Sequence, residues 1–147
     1  NAADAGLVAA KLREALPDQP LLLKIGHFTE RDNAQAFFDA VAPYVDGLVM
    51  VNGVSTRVRD ERGELLFEGR CRGIGGVAIR KWVFEQLSCF AEFIQESGSP
   101  VRLVGVGGLC QAEDVRQALG QGCEAVQFAT AAMLSPGLGL AIREEGL

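Results

Sequence analysis

The stretch VRLVGVGG, residues 101–108, decides the fold. It is a short apolar run introduced by Pro100 and ended by the pair Gly107–Gly108. A run of this length between breakers reads as a strand buried on both faces. Three other stretches have the same form: LLLKIG at 21–26 after Pro20, LVMVN at 48–52 after the turn Asp46–Gly47, and AVQFA at 125–129. Helical spacing separates them. Residues 30–43 place Ala34, Phe37, Phe38 and Val41 on one face. Residues 77–97 turn Val77, Ile79, Val83, Phe84, Leu87, Phe90, Ala91 and Ile94 inward. Shorter helices are expected over 111–120, near 130–134 and over 137–145. A further helix, 5–16, carries Leu7, Val8, Leu12, Ala15 and Leu16, with Asp4 as its N-cap and Pro17 beyond its end.

Apolar strands joined by helical crossovers predict an α/β fold with a parallel sheet, covered on both faces, and right-handed connections. Two architectures fit: an open doubly wound sheet, or part of a (β/α)8 TIM barrel. A complete barrel takes about 250 residues, so four βα units in 147 residues make just over half of one. Residues 53–76 break the rhythm. STRVRDERGELLFEGR reads as a hairpin about Arg62–Gly63, with Arg57, Arg59, Asp60, Glu61 and Arg62 as a solvated tip. CRGIGG, 71–76, reads as a glycine loop.

Composition narrows the function. The net charge is −5, with 14 basic and 19 acidic residues and no basic face to neutralise phosphates, which argues against a nucleic-acid partner. Hydrophobic residues make up 48% of the chain, too many for a disordered segment. The apolar runs fall far short of the roughly 18 residues of a membrane span. Glycine, 18 of 147 residues, exceeds the usual ~7% and points to backbone chemistry in loops. The four cysteines, Cys71, Cys89, Cys110 and Cys123, form no CxxC and read as reduced thiols of a cytoplasmic protein; Cys110 and Cys123 read as packing residues. The chain starts at Asn1 without Met or a signal-like segment, so it is expected to be a fragment of a longer protein.

In either architecture ligands gather at the carboxyl ends of the strands. Lys24, Gly26 and His27 stand there after the first strand, Asn52, Gly53, Ser55 and Thr56 after the second, Gly107 and Gly108 after the third, and Ala129 and Thr130 after the fourth. One cation, small polar groups and glycine turns on one rim suit a phosphate-bearing cofactor, held by backbone N–H groups. Lys24 is out of place inside LLLKI and is expected to meet an anion or polar ligand; the alternative is a lysine that snorkels to solvent. GVGG (105–108) and GIGG (73–76) carry little singly, and neither completes GxGxxG. His27 has no partner pattern for acid–base work and reads as a surface residue. Asn52 can donate and accept toward a heterocycle.

LLLKIG, DGLVMVNGVS, GIGGVAIRK, LVGVGG and AVQFATA, in this order and spacing, resemble the C-terminal half of the dihydroorotate dehydrogenases over about residues 20–136. The resemblance implies an FMN-binding (β/α)8 barrel that oxidises dihydroorotate to orotate in pyrimidine biosynthesis, with hydride passing to the flavin. It implies that Lys24 contacts the flavin ring and that Asn52 lies beside flavin and substrate. It further implies that Gly75, Gly76, Gly107, Gly108, Ala129 and Thr130 hold the cofactor. The chain departs from the family where Gly75 replaces a serine, Gly53 a threonine and Ala129 a glycine. The Gly53 change removes a hydroxyl from the substrate side unless Ser55 or Thr56 supplies it. The family's catalytic base lies on the half that precedes this sequence, as do further substrate asparagines.

The expected function is therefore that of a flavoprotein half-barrel, residues 1–147, completed by a missing N-terminal half or by self-association. Its expected location is cytoplasmic, with any membrane association arising outside this chain. The alternative is a non-catalytic module that binds a phosphate ligand or assembles with a partner, without flavin.

Overall fold

The computed structural model describes all 147 residues. Four strands, β1 (Leu22–Ile25), β2 (Gly47–Met50), β5 (Arg102–Val106) and β6 (Cys123–Gln127), form one parallel sheet in the order β1-β2-β5-β6. Between β2 and β5 lies a separate antiparallel hairpin, β3 (Val54–Arg57) with β4 (Cys71–Ile74). The helices are α1 (Ala2–Ala15), α2 (Arg31–Val41), α3 (Arg80–Ser97), α4 (Ala112–Gly120), α5 (Thr130–Leu134) and α6 (Leu138–Glu144).

The strand order settles the architecture. A doubly wound sheet reverses direction at a switch point, whereas this sheet adds each strand beside the last. All crossovers then fall on one side, as in a barrel wall. Alternation along the strands bears this out. Leu48, Met50 and Leu103 point into one core with Phe38, Val83, Leu87, Phe90 and Phe93 of α2 and α3. Val49, Val104 and Val106 form a separate small cluster on the other face, with no helix residue in it. The sheet is thus covered on one face, which corrects the expectation of two. The remaining face is the inner, concave side of a barrel segment.

Several boundaries differ from those read in the sequence. β6 starts two residues earlier than AVQFA, with a register shift at Glu124 between the pairs Leu103–Cys123 and Val104–Ala125, and stops at Gln127, opposite the last residue of β5. The expected loop 71–76 begins as β4, paired residue by residue with β3. The helix expected from Val77 begins at Arg80, after a tight turn at Gly76–Ile79, and Val77 is exposed. In α1 the N-cap is Asn1, whose Oδ1 accepts from the Asp4 N–H at 2.9 Å, and Asp4 is inside the helix. The apolar residues Leu7, Val8, Leu12 and Leu16 of that segment are exposed, while Gly6 and Ala9 are buried. Gly6 lets the helix approach α2: a Cβ there would lie 2.9 Å from the Ala40 carbonyl oxygen.

Arg13 fastens α1 to the sheet. It donates to the carbonyls of Tyr44, Leu16, Pro17 and Gln19 and pairs with Asp46 at 2.5 Å. Asp46 also accepts from the Leu21 N–H at 2.7 Å. That backbone bond, and then the Arg13 guanidinium, hold the Asp46 carboxyl below its ordinary range. A carboxyl depressed in the folded state stabilises above its unfolded pKa, about 3.9, and loses that contribution as pH falls through the folded value. The urea midpoints of the parent and Asp46→Asn are therefore expected to differ at pH 7, with the gap narrowing as pH falls below about 3.9. A gap that does not change with pH would contradict this.

Candidate functional site

The carboxyl ends of the parallel strands share one rim, and a cavity of about 340 Å3 opens there. Eight residues anticipated from the sequence line it: Lys24, Asn52, Gly75, Gly76, Gly107, Gly108, Ala129 and Thr130. They come from five separate segments, up to 106 residues apart in the chain; the sheet order brings four of these together and the β3–β4 hairpin delivers Gly75 and Gly76.

Lys24 lies in register with Val49, Val104 and Ala125 across the sheet, on the concave face. It is exposed, because the face it stands on has no covering layer. Asn52 follows β2 after the cis Met50–Val51 peptide, and its N–H donates to the Ile25 carbonyl at 2.9 Å. That bond ties the end of β2 to the end of β1.

The glycines form the opposite wall. Gly76, Gly107 and Gly108 all have positive φ, at 68°, 107° and 71°. A Cβ on Gly107 would lie 2.8 Å from the Val51 carbonyl oxygen, and one on Gly108 would lie 2.6 Å from the Gly76 carbonyl oxygen. Both positions, in the loop after β5, therefore need glycine twice over, for conformation and for backbone-to-backbone contact. At Gly75 and Gly76 a Cβ would meet nothing within 4 Å. The wall beside the cavity is thus bare backbone with room in front of it. Such a surface suits an anion that accepts from N–H groups. The volume lies at the small end of the roughly 300–1,000 Å3 typical of small-molecule sites. The glycine wall fits the phosphate of a small-molecule ligand.

Other candidates fall elsewhere. Ser55 is exposed on β3, paired with Gly73, and lies outside the cavity, as does Thr56. Gly53 sits close to β4, where a Cβ would lie 3.1 Å from the Ile74 carbonyl oxygen. His27 faces outward beside Trp82, ring centres 6.3 Å apart, and burial lowers its pKa while Glu85 opposes that. Cys123 is a core residue whose thiol burial pushes up to about 11, whereas Cys110 sits half-buried at the cavity wall.

Sequence reasoning missed Gln127 and Phe128 as lining residues, because the strand was placed two residues late. It also missed Gln86. This buried amide accepts from the Phe28 N–H at 2.8 Å and donates to the Gly26 carbonyl at 2.9 Å, fixing the loop after β1.

No protein-family profile matches the chain. Over 128 residues it is 35% identical to the dihydroorotate dehydrogenase (quinone) of Halobacterium salinarum, covering 83% of this chain and 34% of that protein. Over 126 residues it is 26% identical to the catalytic subunit of the dihydroorotate dehydrogenase B (NAD(+)) of Exiguobacterium sibiricum, covering 84% of this chain and 38% of the relative. Among solved structures it superposes on the dihydroorotate dehydrogenase of Eimeria tenella, solved in complex with ferulenol. The TM-score is 0.67 at 19% identity, over 87% of this chain and 33% of that one. The chain thus spans little more than a third of the length of the proteins it matches.

Proposed function

The chain is related to the dihydroorotate dehydrogenases in sequence and fold, and on that premise we propose that it supplies the FMN-binding half of an oxidoreductase of that type. The reaction is oxidation of dihydroorotate to orotate, a step of pyrimidine biosynthesis. The observation that carries this reading is the convergence of Lys24, Asn52 and three backbone loops on one cavity.

FMN, when bound, accepts the electron pair of the oxidation. The residues of this chain bind and orient. Backbone N–H groups around Gly75–Gly76, Gly107–Gly108 and Ala129–Thr130 would hold the phosphate. The Lys24 ammonium would stabilise negative charge that gathers on the ring. Asn52 presents an amide toward the ring and the substrate. No side chain of this chain is assigned as the base that takes the substrate proton.

Two further observations support a missing half. A compact chain of this mass exposes about 7,300 Å2; this one exposes 9,008 Å2. Large apolar side chains are bare at both ends of the sheet, Leu7 and Val8 on α1 and Met133 and Leu134 on α5, the last two more than 80% exposed. No helix is long and apolar enough to cross a membrane. The matched region resembles NAD(+)-type and quinone-type relatives alike, so the electron acceptor is set elsewhere.

The test is the visible spectrum of the chain after FMN is added and the excess removed. A retained flavin band is expected, weakened about tenfold in affinity by Lys24→Ala, the effect of one charged contact. Flavin retained by neither this chain nor a longer one that includes the preceding half would favour the flavin-free module.

A further inference from the structure

We propose that Asp114 and Arg80 act as a positioning latch that sets the spacing of the two glycine loops, and through it the grip on a ligand's phosphate. The inference rests on the phosphate-cofactor reading above and adds to it two residues that do not line the cavity.

Asp114 stands in the first turn of α4 and is only 4% exposed. A buried carboxylate needs partners, and those of Asp114 belong to the two loops. The Arg80 Nη1 donates to Oδ1 at 3.0 Å and to Oδ2 at 3.2 Å. The Cys110 N–H donates to Oδ2 at 2.9 Å. Arg80 is the first residue of α3, directly after the turn that begins at Gly76. Cys110 is the second residue after Gly108. One carboxylate thus grips the loop after β4 through a side chain and the loop after β5 through the backbone.

The grip acts where the loops touch. The position of a Cβ on Gly108 is 2.6 Å from the Gly76 carbonyl oxygen and 3.0 Å from the Arg80 nitrogen. N–H groups from both loops reach one phosphate only at a fixed separation. If Asp114 served α4 alone, an uncharged cap would suffice and Arg80 would have no part. The bond from Arg80, 34 residues away in sequence, is what a cap does not require.

The variants Asp114→Asn and Arg80→Lys test this. Asn keeps an acceptor for the Cys110 N–H but loses the charge. Lys keeps the charge but is shorter, and so loses the reach that brings Arg80 Nη1 to both oxygens. The full chain and each variant are titrated with FMN and with riboflavin, which lacks the phosphate, and followed by flavin fluorescence. Affinity for FMN is expected to fall about tenfold, the loss of one charge-assisted bond, while affinity for riboflavin holds. Equal losses for both flavins, or no loss for either, would overturn the latch. Arg80→Lys is read in the same way and decides the matter if Asp114→Asn does not fold.

If the parent does not prefer FMN to riboflavin, the phosphate reading itself has failed. The latch is then read without ligand, from amide hydrogen exchange. In Asp114→Asn, faster exchange is expected at Gly76 and Val77 as well as at Gly107 and Gly108. Acceleration confined to residues 110–114 would reduce Asp114 to a helix cap.

Discussion

Alanine at Gly108 is expected to cost this chain about 2–6 kcal/mol of stability and its hold on a phosphate ligand together. The φ of 71° is strained for any residue with a Cβ, at roughly 1–3 kcal/mol. The added carbon also falls 2.6 Å from the Gly76 carbonyl oxygen, a backbone atom that cannot swing away as a side chain would. Relief therefore means moving one loop off the other, with an overpacking cost of roughly 1–3 kcal/mol. Once the loops part, N–H groups on the two sides no longer reach the same anion. Losing two charge-assisted bonds weakens FMN by about a hundredfold. Gly120→Ala is the control. That glycine closes α4, its φ is not positive, and a Cβ there would meet nothing within 4 Å. Alanine there should be neutral or stabilising by up to about 1 kcal/mol. Urea unfolding gives the stabilities and flavin fluorescence the affinities. Equal behaviour of the two variants would mean that the loop contact carries no weight.

The second large effect is expected at Phe90. Its ring is fully buried and lies against Phe28 at 6.0 Å, Phe38 at 6.2 Å and Phe93 at 5.4 Å between centres. These rings join the loop after β1, helix α2 and helix α3. Truncation to alanine removes the transfer energy of the ring and leaves a cavity that rigid neighbours cannot fill, about 3–5 kcal/mol in all. Against a total of roughly 5–15 kcal/mol, that brings the chain near unfolding at room temperature. The same change at Phe67, half exposed on the hairpin, should cost under about 1 kcal/mol. Paired urea titrations give the comparison. A Phe90→Ala midpoint close to that of Phe67→Ala would show that the core repacks.

Which parts were legible in the sequence follows from how far apart the interacting residues lie. The strands were legible because each apolar run ends in a local breaker, Pro100 before β5 or Gly26 after β1. The cavity residues were legible because position at a strand end needs no knowledge of side-chain partners. Lys24 stood out as a charge in an apolar run, though it proved to face open space rather than a buried layer. Spacing shows that α1 has an apolar stripe, but not that this stripe has nothing beside it here. β6 was shifted because Phe128 continues an apolar run that the register against β5 has already ended. Asp114 and Arg80 were invisible for a different reason: a charge in the first turn of a helix looks like a surface residue until a partner 34 positions away is known.

The open sheet has a geometric consequence. Its borders are unlike: β1 leaves one free and β6 the other. A parallel contact between copies of this chain must therefore join the β1 border of one to the β6 border of the next, head to tail. Head-to-tail contacts close into a ring only when the turn per copy divides the circle, and otherwise grow as open filaments. Four strands are half of the eight that close this kind of wall. If each copy turned the wall through half a circle, two copies would satisfy every border with a single kind of joint, and a third would have nowhere to attach.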